Sequence, residues 1–156
     1  MKKPLIVYTT RTGHTRELAA MLAGRFGTSS HEVVDKVNRK GAVRFVFSGF
    51  QATTKKATPI EEAPVDIADH DGIILVVPIW ASNLVPPMRT WLQKHAKEII
   101  GKPVAVLASN KGSDIPPYEQ NVKAEFPFIR FCEGCVETVA DKTSLVERFA
   151  KRAEAL

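Results

Sequence analysis

Leu5-Ile6-Val7-Tyr8 is an unbroken apolar run, and Leu18, Met21, Leu22 and Phe26 follow it at helical spacing. The first pattern predicts a buried strand and the second an amphipathic helix, which Gly27 is placed to end. His31 to Val37 predicts a weaker strand. Val43, Val46, Phe47 and Phe50 then share one helical face within a segment at about 38–58. Gly72-Ile73-Ile74-Leu75-Val76-Val77 is the clearest strand, continuously apolar as burial on both faces requires. Pro86-Pro87 marks a helix start, with Met88, Trp91, Leu92, His95 and Ile99 as its apolar stripe. Val104 to Ala108 predicts the next strand, Pro116-Pro117 opens a short helix to about Phe126, and a last strand falls between Phe128 and Val139. Ser144-x-x-Glu147 has capping-box spacing, ahead of a terminal helix whose buried side is Leu145, Val146, Phe149 and Ala153.

Strand and helix alternate along the whole chain, which implies a parallel sheet covered on both faces by right-handed crossovers. Five strands and five helices fit 156 residues, expected to form one domain, 1–156. Ligands of such sheets bind beyond the carboxyl ends of the strands, near the switch in strand order. Three loops reach that end. The first is Thr10-Arg11-Thr12-Gly13-His14-Thr15, the second Pro78-Ile79-Trp80-Ala81-Ser82-Asn83, the third Ser109-Asn110-Lys111-Gly112-Ser113-Asp114.

The first loop carries the strongest chemistry. Free N–H groups at a helix start attract an anion, Gly13 lets backbone approach closely, and the hydroxyls of Thr10, Thr12 and Thr15 can add donors. Three hydroxyl residues around a glycine exceed what a helix cap needs. Trp80 is a large aromatic in a polar loop just past a buried strand, a placement that costs exposure unless it covers something. Trp91 falls in a helical stripe and reads as core.

With these loops in view, the chain resembles the flavodoxin-like FMN-binding proteins. Their phosphate loop is typically Ser/Thr-x-Thr-Gly-x-Thr, matched by Thr10 through Thr15 at every defined position. The resemblance runs from Leu5 to the terminal helix. It implies a doubly wound five-stranded parallel sheet in the order 2-1-3-4-5, with helices on both faces and FMN as cofactor. It implies that Thr10, Arg11, Thr12, Gly13, His14 and Thr15 hold the phosphate. Trp80 would stack on the flavin within the loop Pro78, Ile79, Trp80, Ala81, Ser82 and Asn83, and Ser109, Asn110 and Gly112 would meet its pyrimidine edge. Many relatives place Gly in the second loop, where a peptide turns over to bond the reduced flavin. Ala81-Ser82-Asn83 should make that turnover harder, with Asn83 the residue best able to take positive φ.

Composition narrows the function without changing the fold. The chain is 44% hydrophobic and 25% charged, with no apolar stretch that reads as a signal peptide or membrane span, so a cytoplasmic location is expected. Six of its 22 Lys and Arg (Lys36, Arg39, Lys40, Arg44, Lys55, Lys56) lie before Ile60 in a stretch with no acidic residue, leaving 16 against 17 Asp and Glu elsewhere. The basic stretch from Arg39 to Lys56 reads either as a solvated helix or as a lip for an acidic partner or a phosphate-bearing nucleotide. No nucleic-acid motif accompanies it, and nucleic acid is not an expected partner.

Cys132 and Cys135 stand late in the chain and read as reduced, partly buried thiols. His14, His31, His70 and His95 lack ligand-like spacing, so no metal site is expected. No residue has a general acid–base or nucleophile signature, and Asp69-His70-Asp71 precedes a strand, at the end opposite the loops. The expected function is electron transfer by bound FMN, with a redox partner protein or a small-molecule acceptor. Open beside it stand an FMN-dependent NAD(P)H or quinone reductase and a cofactor-free interaction domain.

Overall fold

The hydrophobic periods translate into alternating elements: β1 (Pro4–Tyr8), α1 (His14–Phe26), β2 (Ser30–Asp35), β3 (Ile60–Glu62), β4 (Gly72–Pro78), α2 (Pro86–Lys94), β5 (Val104–Asn110), α3 (Ile115–Glu125), β6 (Ile129–Val136) and α4 (Lys142–Glu154). The computed structural model describes residues 1–37, 49–138 and 141–156, and 49–53 form a further helical stretch. Arg39, Lys40, Val43, Arg44, Val46 and Phe47 lie outside the described residues, so the basic stretch is described only at its C-terminal end. Phe50, expected on the buried face of that segment, is 58% exposed.

The sheet has six strands in the order β3-β2-β1-β4-β5-β6. Its five parallel strands run as the resemblance implies, but the count of five is corrected by β3, an added antiparallel edge paired with β2 through Val33–Glu62, Val34–Glu61 and Asp35–Ile60. Ile60-Glu61-Glu62 is short and charged, without the alternation that marks a strand. It is held from outside: Lys94 and His95 at the end of α2 both bond the Glu62 carboxylate, His95 at 3.1 Å. Burial works to raise the Glu62 carboxyl, but these hydrogen bonds hold it below its ordinary value.

Successive residues of β1, β4 and β5 point to opposite faces, and both faces are apolar. Leu5, Val7, Ile73, Leu75, Val104 and Val106 pack with Met88 and Trp91 of α2 and Tyr118 and Val122 of α3. Ile6, Ile74, Val76, Ala105 and Leu107 pack with Leu18 and Leu22 of α1 and Phe149 of α4. Among the described residues, two helices thus pack on each face. The capping box expected at Ser144 and Glu147 is displaced: α4 starts earlier, Asp141 caps it by accepting the Ser144 N–H at 2.9 Å, and Glu147 pairs with Arg25 of α1 at 2.7 Å.

Cys132 and Cys135 are free and buried, on opposite faces of β6, because an odd spacing along a strand reverses the side chain. They cannot bridge each other without disrupting the strand. Burial pushes the Cys132 thiol up to about 12 and raises Cys135 as well. Neither thiol should react with a chromogenic disulfide reagent at pH 8 in the native protein, and both should react after unfolding. Rapid reaction of one thiol in the folded state would contradict this placement.

Candidate functional site

The loops after β1, β4 and β5 converge on one cavity of about 590 Å³ at the carboxyl end of the sheet. Its lining includes Arg11, Thr12, His14 and Thr15 from the first loop, Pro78, Ile79, Trp80 and Ala81 from the second, and Ser109 and Asn110 from the third. Asp71 lies at the other end of the sheet, where its carboxylate takes the N–H groups of Lys2 and Lys3 at 2.5 and 3.0 Å.

Gly13 initiates α1 with φ 98°, a value that favours glycine. Its N–H is taken by Thr10 Oγ1 at 2.9 Å, and the first helical bond runs from Glu17 N–H to the Gly13 carbonyl at 3.1 Å. The N–H groups of the first turn of α1 therefore have no partner within the helix, and His14 and Thr15 of that turn line the cavity. Thr15 does not supply a hydroxyl donor as expected. Its Oγ1 donates to the Thr9 carbonyl at 2.7 Å, tying the helix start to the end of β1. Thr10 and Gly13 act on the loop's shape and do not line the main cavity. Thr10 instead lines a smaller cavity of about 380 Å³ behind Arg11 and Trp80.

The second loop is a tight turn. Asn83 N–H closes onto the Trp80 carbonyl at 3.0 Å, with Ala81 at φ 47° and Ser82 at φ 53°, the φ pattern of a type I′ turn. Positive φ was expected at Asn83 and falls instead on two residues that carry a Cβ and take it at a cost of about 1–2 kcal/mol each. Two amides offset that cost. Asn83 Nδ2 donates to the Ala81 carbonyl at 2.6 Å, and Asn121 Nδ2 of α3 donates to the Ser82 carbonyl at 2.9 Å. Both carbonyls are engaged, so the turn resists inversion and presents Trp80, which packs against the core edge, to the cavity. Ser82 and Asn83 are its frame and are not part of the lining.

In the third loop, Asn110 Oδ1 accepts the N–H groups of Gly112 and Ser113 at 2.7 and 3.0 Å, and Gly112 has φ 111°. Gly112 thus shapes the loop without lining the cavity. Ser109 is 2% exposed, and its Oγ has no hydrogen-bond partner among the described residues. A buried hydroxyl left unpaired costs free energy unless a partner arrives, and the cavity is where one can enter.

Lys111, Ser113, Gly49 and Glu137 also line the cavity. Glu137 lies past the end of β6, at the same end of the sheet as the three loops. A fifth parallel strand was expected there, and its own carboxyl-end loop was the available signal. Among the described residues no group of His, Cys, Asp and Glu is placed to hold a metal ion, and no helix is long and apolar enough to cross a membrane.

No protein-family model matches the sequence, and no curated protein matches it. Solved structures do share its fold. A provisionally assigned flavoprotein from Bacteroides eggerthii DSM 20697 is 21% identical over 96% of each chain, with TM-score 0.78. A flavoprotein from Lactobacillus acidophilus NCFM, solved in complex with FMN, is 19% identical over 96% of this chain and 99% of that one, with TM-score 0.75. A flavodoxin of Streptococcus pneumoniae TIGR4 is 14% identical over 97% of each chain, with TM-score 0.52. The chain has a flavodoxin-like fold.

Proposed function

We propose that this chain, folded as one domain over 1–156, binds FMN in the cavity at the carboxyl end of its sheet and acts in electron transfer. The observation that carries the reading is the meeting of three polar loops at one cavity, where a helix start whose first N–H groups have no partner within the helix lies with the Ser109 hydroxyl, which has no partner among the described residues. The FMN held by the Lactobacillus acidophilus flavoprotein, on the same fold, supports it.

The residues present fit that cofactor. The first turn of α1 and the Arg11 side chain hold the phosphate, and Thr12 adds a hydroxyl. Trp80 covers the ring. Ser109 Oγ would meet a polar atom of the flavin, with Asn110 beside it on the cavity wall. Bound FMN would supply the redox chemistry, while the chain holds it, excludes water from one face and sets access. No flavin-independent catalytic group is required.

A small-molecule acceptor is favoured over an acidic-faced shuttle by the charge balance of 22 basic to 17 acidic residues, since an acidic carrier steers toward basic partners. Turnover of NADPH with a quinone and no partner protein would assign the reductase role. Silence in that assay, with electrons accepted from a reductase protein, would assign the carrier role.

The direct test is an absorbance spectrum of the purified protein before and after FMN addition. Uptake of one FMN per chain is expected, with quenching of tryptophan emission that a Trp80→Phe substitution largely removes. No bound flavin at any ratio would sink the reading.

A further inference from the structure

Glu137 is an unexpected group for a cavity that takes an anion. Its carboxylate is 15% exposed, and Oε2 lies 3.5 Å from His14 Nε2 on the first turn of α1. Both residues line the same cavity, and the Glu137 N–H is fixed to the Asn110 carbonyl at 2.8 Å. The backbone that carries the carboxylate is thereby anchored to the end of β5. Left uncompensated, the carboxylate would oppose any phosphate bound at the adjacent helix start.

We propose that His14 and Glu137 make anion binding at this site proton-linked: a phosphate seated on the first turn of α1 takes up one proton, from solvent, onto the His14 ring. This rests on the FMN reading and adds a regulation to it. The carboxylate favours a hydrogen on His14 Nε2. With that hydrogen committed, the second ring nitrogen can donate only in the imidazolium form, since neutral imidazole carries one N–H. An arriving phosphate and the neighbouring carboxylate together favour the cation between them.

The charges around this corner do not cancel the effect in advance. Arg11 in the same loop and Lys111 after β5 also line the cavity, while Glu137 pairs with His14. Glu17, one turn along α1, is already engaged by Lys142 at the start of α4, at 2.6 Å. Asp141 is spent capping α4. Among the described residues, Glu137 is the carboxylate that lines the cavity beside the helix start.

The sign follows from linkage. A site that gains a proton on binding loses affinity as pH rises, by up to about tenfold per pH unit for one proton. A phosphate monoester is almost wholly dianionic above about pH 7, since its second pKa is about 6, so its own titration does not mask the trend. FMN titrations of the whole protein between pH 7 and 8.5, by calorimetry in buffers of different ionisation heat, should show proton uptake and falling affinity. The NMR titration midpoint of the His14 ring should move upward when FMN is added. His14→Gln should abolish the uptake and flatten the pH profile, and Glu137→Gln should tighten binding at pH 8.5. FMN binding whose affinity is flat with pH and whose heat is equal in all buffers overturns this inference alone. Failure to bind FMN at any pH overturns the FMN reading together with it.

Discussion

Replacing Arg89 with Leu should destabilise the folded protein by about 3–5 kcal/mol, the range for removing one partner of a buried ion pair. Arg89 is a fully buried charge at the start of α2. Its Nε and Nη2 hold both oxygens of Glu125 at the end of α3, at 2.5 and 3.0 Å, and its Nη1 donates to the Lys56 carbonyl at 3.1 Å. The substitution leaves the Glu125 carboxylate, 14% exposed, without its cation and the Lys56 carbonyl without its donor. For a chain of this size the thermal midpoint should drop by roughly 10 °C. Urea and thermal denaturation measure it. Because the cost lies in the stranded carboxylate, the double substitution R89L/E125L should recover much of the loss. A single substitution costing under about 1 kcal/mol would show that the guanidinium contributes little beyond filling space. The same change should also loosen residues 54–58, anchored otherwise by Thr90 Oγ1 donating to the Thr58 carbonyl at 2.7 Å, and faster amide exchange there would register it.

Trp80→Ala should weaken FMN binding by about 1–3 kcal/mol, the range for removing an aromatic platform under a stacked base, or roughly 5- to 150-fold in dissociation constant. The turn that carries Trp80 is fixed by Asn83 and Asn121, so its backbone is set before any ligand arrives and the ring's contribution is not spent on ordering the loop. Fluorescence or absorbance titration with FMN reads the change. Trp80→Phe should retain most of the affinity, since a smaller aromatic still stacks. Equal affinity in the wild type and the alanine variant would mean that Trp80 covers the core edge and not the flavin. Circular dichroism of the variant separates that outcome from a collapse of the turn.

Much of the framework could be read along the chain. β1, β4 and β5 are apolar at nearly every position because both faces of the sheet are covered, and that demand leaves a mark on consecutive residues. Gly27 ends α1 in the left-handed region, and Pro86 and Pro116 sit in first helical turns where their missing N–H costs nothing. The first loop was legible for the same reason. Its place at the cavity depends on six consecutive residues and on the strand and helix that flank them.

Other features had no local signature. β3 exists because β2 offers it an edge and α2 holds Glu62, and three residues of its own sequence would not form a strand. Asp141 outcompetes the Ser144 box because the helix begins where packing on the sheet lets it begin. Arg89 reads as a surface residue by type and is buried only because Glu125 and Lys56 come to it.

The amino-acid sequence by itself therefore determined the alternating parallel architecture, the position of the Thr10–Thr15 turn between β1 and α1, and the placing of an aromatic in the loop after β4. These follow from hydrophobic period, glycine freedom and proline geometry among near neighbours. The tertiary structure alone decided which side chains of the turns are spent on the turns themselves, that β3 pairs as an added edge on β2, and that Glu137 faces His14. Those contacts join residues far apart in the chain, and their energies exist only once the sheet has brought its loop ends to one side.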